Sequence, residues 1–144
     1  MKRFLILVIL LYPFSLLSET NAQELVVHTS VTQQEISRNT LRAIFGMRLR
    51  KWPDGQVIKV FVLKDDAPHH IEFSKSILHI FPYQLRRAWD RQVYSGTGQS
   101  PNKVKSIEEM WEKLSKTPGA IGYLPIEQNN ENKPRTHLKV LHVR

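Results

Sequence analysis

Apolar residues crowd most densely between Val57 and Leu63, where Val57, Ile58, Val60, Phe61, Val62 and Leu63 are interrupted by Lys59 alone. A β-branched and aromatic run of this length predicts a strand covered on both faces of a sheet, for which a parallel α/β sheet is the usual setting. The polar segment Lys64-Asp65-Asp66-Ala67 follows. Pro68 then suits the first turn of a helix, where its missing N–H costs nothing, and Ile71, Phe73, Ile77 and Leu78 give that helix an apolar side. The polar segment therefore lies at the carboxyl end of a strand and at the positive end of a helix dipole, where open α/β folds bind ligands and anions especially.

The rest of the chain alternates in the same way. Glu24 to Thr29 reads as a first strand. Ser37 stands as an N-cap before a helix whose inward face carries Leu41, Ile44 and Phe45, with Gly46 at its end. Arg48, Arg50 and Lys51 form a basic cluster leading into the turn Trp52-Pro53-Asp54-Gly55. Pro82 opens another helix, with Leu85, Ala88, Trp89, Gln92 and Val93 inward and Arg86, Arg87 and Arg91 nearer to water. A loop of small residues, Ser95 to Pro101, contains Gly96, Thr97 and Gly98. Ser106 and Glu109 have the spacing of a capping box, starting a helix that turns Ile107, Met110, Trp111 and Leu114 to the core. Thr117-Pro118-Gly119 ends it. Ala120 to Leu124 is a short buried strand whose glycine signals close packing, Asn129 to Arg135 is a polar loop, and Leu138 to Val143 is a last strand. The predicted order is β-α-β-α-α-α-β-β.

Residues 1–22 stand apart from this pattern. Lys2 and Arg3 precede an apolar run from Phe4 to Leu17, and Thr20-Asn21-Ala22 offers small or neutral residues where a signal peptidase reads. Cleavage after Ala22 and export to the periplasm are the expectation; a retained membrane anchor is the competing reading, against which stand Pro13, Ser15 and the shortness of the run. Residues 23–144 suffice for one domain with a single core. The formal net charge of +8 favours anionic partners without choosing among oxyanions, nucleic acid, acidic lipid and polysaccharide. The absence of cysteine removes disulfides, thiolate catalysis and thiolate metal sites together.

Four stretches in order, residues 36–55, residues 57–73, the Gly96-Thr97-Gly98 loop and Thr117-Pro-Gly-Ala-Ile-Gly-Tyr-Leu-Pro125, resemble the phosphate ABC-transporter substrate-binding proteins of the type 2 periplasmic binding superfamily. The resemblance implies an α/β fold, a single lobe of the two-lobed receptor, with a mixed, mostly parallel sheet flanked by helices. In that family the segment after the central strand runs Arg-x-Asp-Gly-Ser-Gly-Thr and holds phosphate. Here Leu63 stands at the Arg position, Asp65 at the Asp, Ala67 at the Ser, Pro68 at the second Gly and His69 at the Thr. Only the aspartate is kept, so the guanidinium and two hydroxyls that make phosphate binding tight are missing.

The resemblance therefore implies a non-enzymatic protein that binds a small, phosphate-like oxyanion weakly if at all, at Lys64, Asp65, His69 and His70 with Gly96, Thr97 and Gly98 across the cleft edge. The alternative is a periplasmic interaction or sensor-adaptor module that has lost ligand binding, partnered by a membrane transporter or a sensor. His69 and His70 are expected as partly exposed groups whose imidazolium forms would strengthen anion binding as pH falls. His69 and Glu72 form half of a helical zinc motif, but residue 73 is Phe where the second histidine belongs, so no metal is expected. Ser74 and Ser76 lie within a helix and not on a strained elbow, which disfavours a hydrolase. No cofactor is expected, and export together with aromatics at core spacings disfavours nucleic acid.

Overall fold

The computed structural model describes residues 22–96, 98–126 and 135–144. All of the expected signal segment before Ala22, Thr97 and most of the polar loop before Arg135 lie outside the described residues. The elements are β1 (Gln23–His28), β2 (Glu35–Ile36), α1 (Arg38–Phe45), β3 (Lys59–Val62), α2 (Pro68–Phe73) with a π-helical turn over Ser74–Leu78, α3 (Pro82–Tyr94), β4 (Asn102–Lys103), α4 (Ile107–Lys116), β5 (Ala120–Pro125), β6 (Leu138–Val140) and β7 (His142–Val143).

Five strands form a sheet in the order β4-β3-β5-β1-β6. β3 pairs parallel with both β4 and β5, and β1 runs antiparallel to β5 and β6, so four of the five strands share one direction. Alternate residues of β5 face opposite layers. Gly122 lies under α4, where an added Cβ would come within 2.8 Å of Met110 Sδ and 3.1 Å of Leu114. Tyr123 points the other way, its ring stacked on Phe73 at 4.0 Å and tilted against Phe45 at 6.4 Å. Helices thus cover both faces, which is why β3 and β5 read as nearly continuous apolar runs.

Local sequence signals account for the helix ends. Ser37 Oγ accepts the Thr40 N–H at 3.1 Å, and the Gly46 N–H closes α1 on the Arg42 carbonyl. Ser106 Oγ accepts from Glu109 N–H, while the Glu109 carboxylate reaches back one residue further than a capping box requires, to Lys105 N–H at 2.7 Å.

Four expectations are corrected. Val57 is half-exposed and β3 begins at Lys59, because the Trp52–Gly55 turn folds residues 50–52 back on 56–58 as a hairpin outside the main sheet. Val93 is exposed as well: the 3.6-residue repeat that buries Leu85 and Trp89 has rotated away from the core one turn later. The last strand is broken at Leu141, whose N–H bonds the Leu25 carbonyl, after which β7 leaves the sheet to pair parallel with β2. Asn102–Lys103, given no element in the predicted order, joins the sheet edge as β4.

Candidate functional site

The segment Lys64 to Ala67 leaves the carboxyl end of β3 and closes a tight turn, with Ala67 N–H bonded to the Lys64 carbonyl at 3.0 Å. Pro68 occupies the first turn of α2, as its sequence predicts. Two histidines follow in adjacent positions and meet different fates. His69 is half-buried and accepts from Gln23 Nε2 at its Nδ1, 2.7 Å away. His70 is completely buried, so the expectation of two partly exposed imidazoles is corrected for this residue.

The His70 environment fixes its chemistry. Its Nδ1 lies 2.7 Å from the Tyr123 hydroxyl, which also accepts the Leu63 N–H at 2.9 Å. A hydroxyl proton directed to Nδ1 goes with the imidazole proton on Nε2, for which the described residues offer no acceptor. Burial lowers the His70 pKa to about 4, more than the nearby Asp65 carboxylate raises it, with Arg86 and Lys103 adding to the depression. Burial likewise raises the Tyr123 phenol well above its ordinary value. At neutral pH both groups are uncharged, and His70 does not supply the imidazolium that an acid-strengthened anion site would need.

Asp65 is engaged by a residue that periodicity alone places toward water. Arg86 of α3 grips its carboxylate with two hydrogen bonds, Nε to Oδ2 at 2.7 Å and a terminal nitrogen to Oδ1 at 2.8 Å. The same guanidinium lies 5.1 Å from the Trp89 ring centroid, and Trp89 in turn donates its indole N–H to the Phe45 carbonyl. The hydrogen bond from Arg86 holds the Asp65 carboxyl below its ordinary range, with Coulomb attraction to Arg86, His70 and Lys103 in support. With both side chains about one-third exposed, the pair is worth roughly 0.5–1 kcal/mol after solvent screening. Arg86→Ala is expected to cost about that much in urea unfolding and to return the Asp65 carboxyl toward its ordinary pKa, readable by carboxyl NMR titration.

The glycine loop is not joined to this cluster by any contact among the described residues. Gly98 N–H bonds the Gln92 carbonyl at 3.0 Å near the last turn of α3, and its backbone is packed against Gln92 and Arg50, leaving no room for a Cβ. Gln92 is six residues along α3 from Arg86, about 9 Å on the helical rise. Gly96 is exposed with φ +71°, and Thr97 lies outside the described residues. The zinc half-motif is also engaged elsewhere: His69 bonds Gln23, and the Glu72 carboxylate accepts from Ser76. Among the described residues no group of three or more His, Asp or Glu is placed to hold a metal ion.

The structure thus gathers Asp65 and His70 with three residues that sequence reasoning missed, Arg86, Lys103 and Tyr123, leaves Lys64 exposed beside them, and sets Gly98 at the other end of α3. Tyr123 sits in an apolar run, and no local signal marks its hydroxyl as the partner of a histidine 53 positions earlier.

No protein-family model and no curated protein matches this sequence. Solved structures do resemble it. An ABC-type phosphate transport receptor from Vibrio cholerae superposes with a TM-score of 0.61 at 14% identity, over 84% of this chain and 45% of the receptor. PstS from Borrelia burgdorferi gives a TM-score of 0.64 at 19% identity, over 85% of this chain and 47% of PstS. The fold is that of part of a phosphate-receptor structure, and the chain spans less than half the length of either protein. Among the described residues no helix is long and apolar enough to cross a membrane.

Proposed function

We propose that this chain is a non-enzymatic, exported binding-protein lobe that acts in the periplasm through contact with a macromolecular partner and captures small oxyanions weakly at most. The observation that carries this reading is the internal commitment of the ligand segment. Asp65 and Arg86 satisfy each other in a bidentate pair, His70 is buried and neutral on Tyr123, and Ala67 and Pro68 offer no side-chain donor. A single open lobe also buries a small ligand poorly. A transporter or sensor of the envelope is the kind of partner this fold serves in two-lobed receptors.

Weak oxyanion binding is the second reading, favoured by the exposed Lys64 and by Lys103, which acts electrostatically on Asp65 and His70. Thermal unfolding at low salt with phosphate, sulfate, molybdate, phosphonates and small carboxylates separates the two. A dissociation constant above about 10 mM stabilises by under about 0.1 kcal/mol at about 1 mM anion, which moves the midpoint by less than about 1 °C. That is the expected result for every anion. A selective rise of several degrees that disappears in Lys64→Ala overturns the partner-contact reading and establishes a receptor.

A further inference from the structure

Of the basic cluster Arg48-Leu49-Arg50-Lys51, which the ligand segment does not use, Arg48 lies beside α3. There the end of α1 and the inner edge of α3 bound a groove of about 450 Å³. Ile80, Leu85 and Ala88 supply its apolar surface, and Arg42, Arg48 and Arg91 its charge; among the described residues no carboxylate lines it. Arg42 is spent on structure, donating to the Leu78 and His79 carbonyls at the end of the π-helical turn. Arg48 and Arg91 are exposed, and among the described residues neither guanidinium has a hydrogen bond or ion pair. Arg48 lies across Gly46, its Nε 3.7 Å from where a Cβ would stand.

Arg91 also lines a second hollow, of about 540 Å³, with Arg87, Asp90 and Tyr94. The two hollows therefore abut along one helix. Tyr94 is 87% exposed and Val93 48%, so large apolar side chains flank the guanidinium groups without cover. Exposed Tyr and unpaired Arg beside an apolar groove are the residue types that carry binding energy in protein interfaces. Two joined hollows of this size exceed what a bare oxyanion fills, and the arginines require negative charge at more than one point along the ligand.

We propose that the α1–α3 groove and the adjoining hollow form a docking surface for an acidic peptide segment of a partner protein, in which carboxylates pair with Arg48, Arg87 and Arg91 and intervening apolar side chains cover Ile80, Ala88 and Tyr94. This assignment rests on the reading that the chain acts through macromolecular contact.

The test is fluorescence anisotropy of the full chain with a labelled ten-residue peptide alternating Glu with Leu and Phe, against the same peptide carrying Gln for Glu. The Glu peptide is expected to bind at low salt, to weaken as salt is added, and to outcompete the Gln peptide. Arg48→Glu with Arg91→Glu, both at exposed positions, should weaken it about tenfold or more, since two attractive pairs are replaced by repulsion. Lys75→Glu with Lys113→Glu makes the same change of net charge elsewhere and should leave most of the affinity; Arg48→Gln with Arg91→Gln serves if the reversed variant unfolds.

Equal binding of the Glu and Gln peptides, or equal loss in the two charge-reversed variants, overturns the docking surface. Binding that survives both arginine replacements also overturns it while leaving the partner-contact reading intact. Failure of the Glu peptide to bind, together with an anion-induced rise in unfolding midpoint, overturns both. Capture of vesicles of acidic phospholipid through Arg48 and Arg91, without peptide binding, would replace the acidic peptide by a membrane surface.

Discussion

Lowering the pH from 6.5 to 4 is expected to remove about 3 kcal/mol of folding stability through His70 alone. In the unfolded chain the imidazole takes up a proton near pH 6.5, whereas in the folded protein it stays neutral until the pH reaches about 4. The unfolded state therefore binds more protons across this window, and stability declines as pH falls through it. Each unit of difference is worth about 1.4 kcal/mol, which gives the stated magnitude. The contribution is fully present above pH 6.5 and fully lost below about pH 4.

Other groups move in distinguishable ways. His28, held below its ordinary pKa by burial first and by His137 second, declines in the same direction and calls for a variant to separate it. Asp65 acts in a lower window, because a carboxyl with a depressed pKa loses its stabilisation only as pH drops through and below the ordinary carboxylate range. His70→Gln removes the titration while keeping an acceptor for the Tyr123 hydroxyl. Urea unfolding of the wild type and this variant at pH 7 and pH 4.5 reads the difference. The variant should be less stable at pH 7 and should lose markedly less on acidification; identical pH slopes would refute a buried neutral His70.

Gly119→Ala is expected to destabilise the protein by more than about 3 kcal/mol. Gly119 has φ +78°, where an L side chain is strained by about 1 kcal/mol or more. Space compounds the strain: an added Cβ would stand 2.3 Å from the Val57 carbonyl oxygen, backbone that cannot swing aside. Relief would require the α4–β5 corner to move, and that corner is tied on every side. Gly119 donates its N–H to Ser30 Oγ at 2.9 Å, and its carbonyl accepts the Lys59 N–H and the Trp52 indole N–H at 3.2 and 3.0 Å. Displacing buried hydrogen-bonded groups adds about 1–3 kcal/mol for each left unsatisfied. Gly55→Ala is the control, since Gly55 has φ +89° but nothing within 4 Å of the added atom, so it should cost only the dihedral strain of about 1 kcal/mol. A comparable shift of the urea midpoint in both variants would show that backbone conformation alone, and not the approach of Val57, makes Gly119 necessary.

Most of what was legible in the sequence is local. The apolar stretch ending at Leu63, the N-caps Ser37 and Ser106, Pro68 and Pro82 at helix starts and Gly46 at a helix end all act within a turn of their own position, and each is found in its expected role. The glycine of β5 is similarly legible as a place of close packing, which Gly122 fulfils under Met110 and Leu114. What failed depended on distant chain. Asp65 is the one family-like residue retained in the ligand segment, yet its carboxylate is held by Arg86, 21 positions on. Helical periodicity places Arg86 toward water and carries no information about which loop will lie beside it. Arg48 and Arg91 line one groove for the same reason: α1 and α3 are brought together by the core that Phe45 and Trp89 share.

The sequence by itself determined where the helices and the main strands form, which side of most is apolar, and that the segment after the central strand lacks the arginine and hydroxyls of the resembled family. It could not rank His69 against His70. The two are adjacent, chemically identical and about 100° apart around α2, so one faces outward and one inward according to how the helix is seated. That seating follows from the sheet order, which places β5 beside both β3 and β1 and so brings the Tyr123 hydroxyl to the Leu63 N–H and to His70. Burial then makes one histidine a neutral core residue and leaves the other beside Gln23, because the cost of desolvating an imidazolium is set by the surrounding structure and not by the residue type.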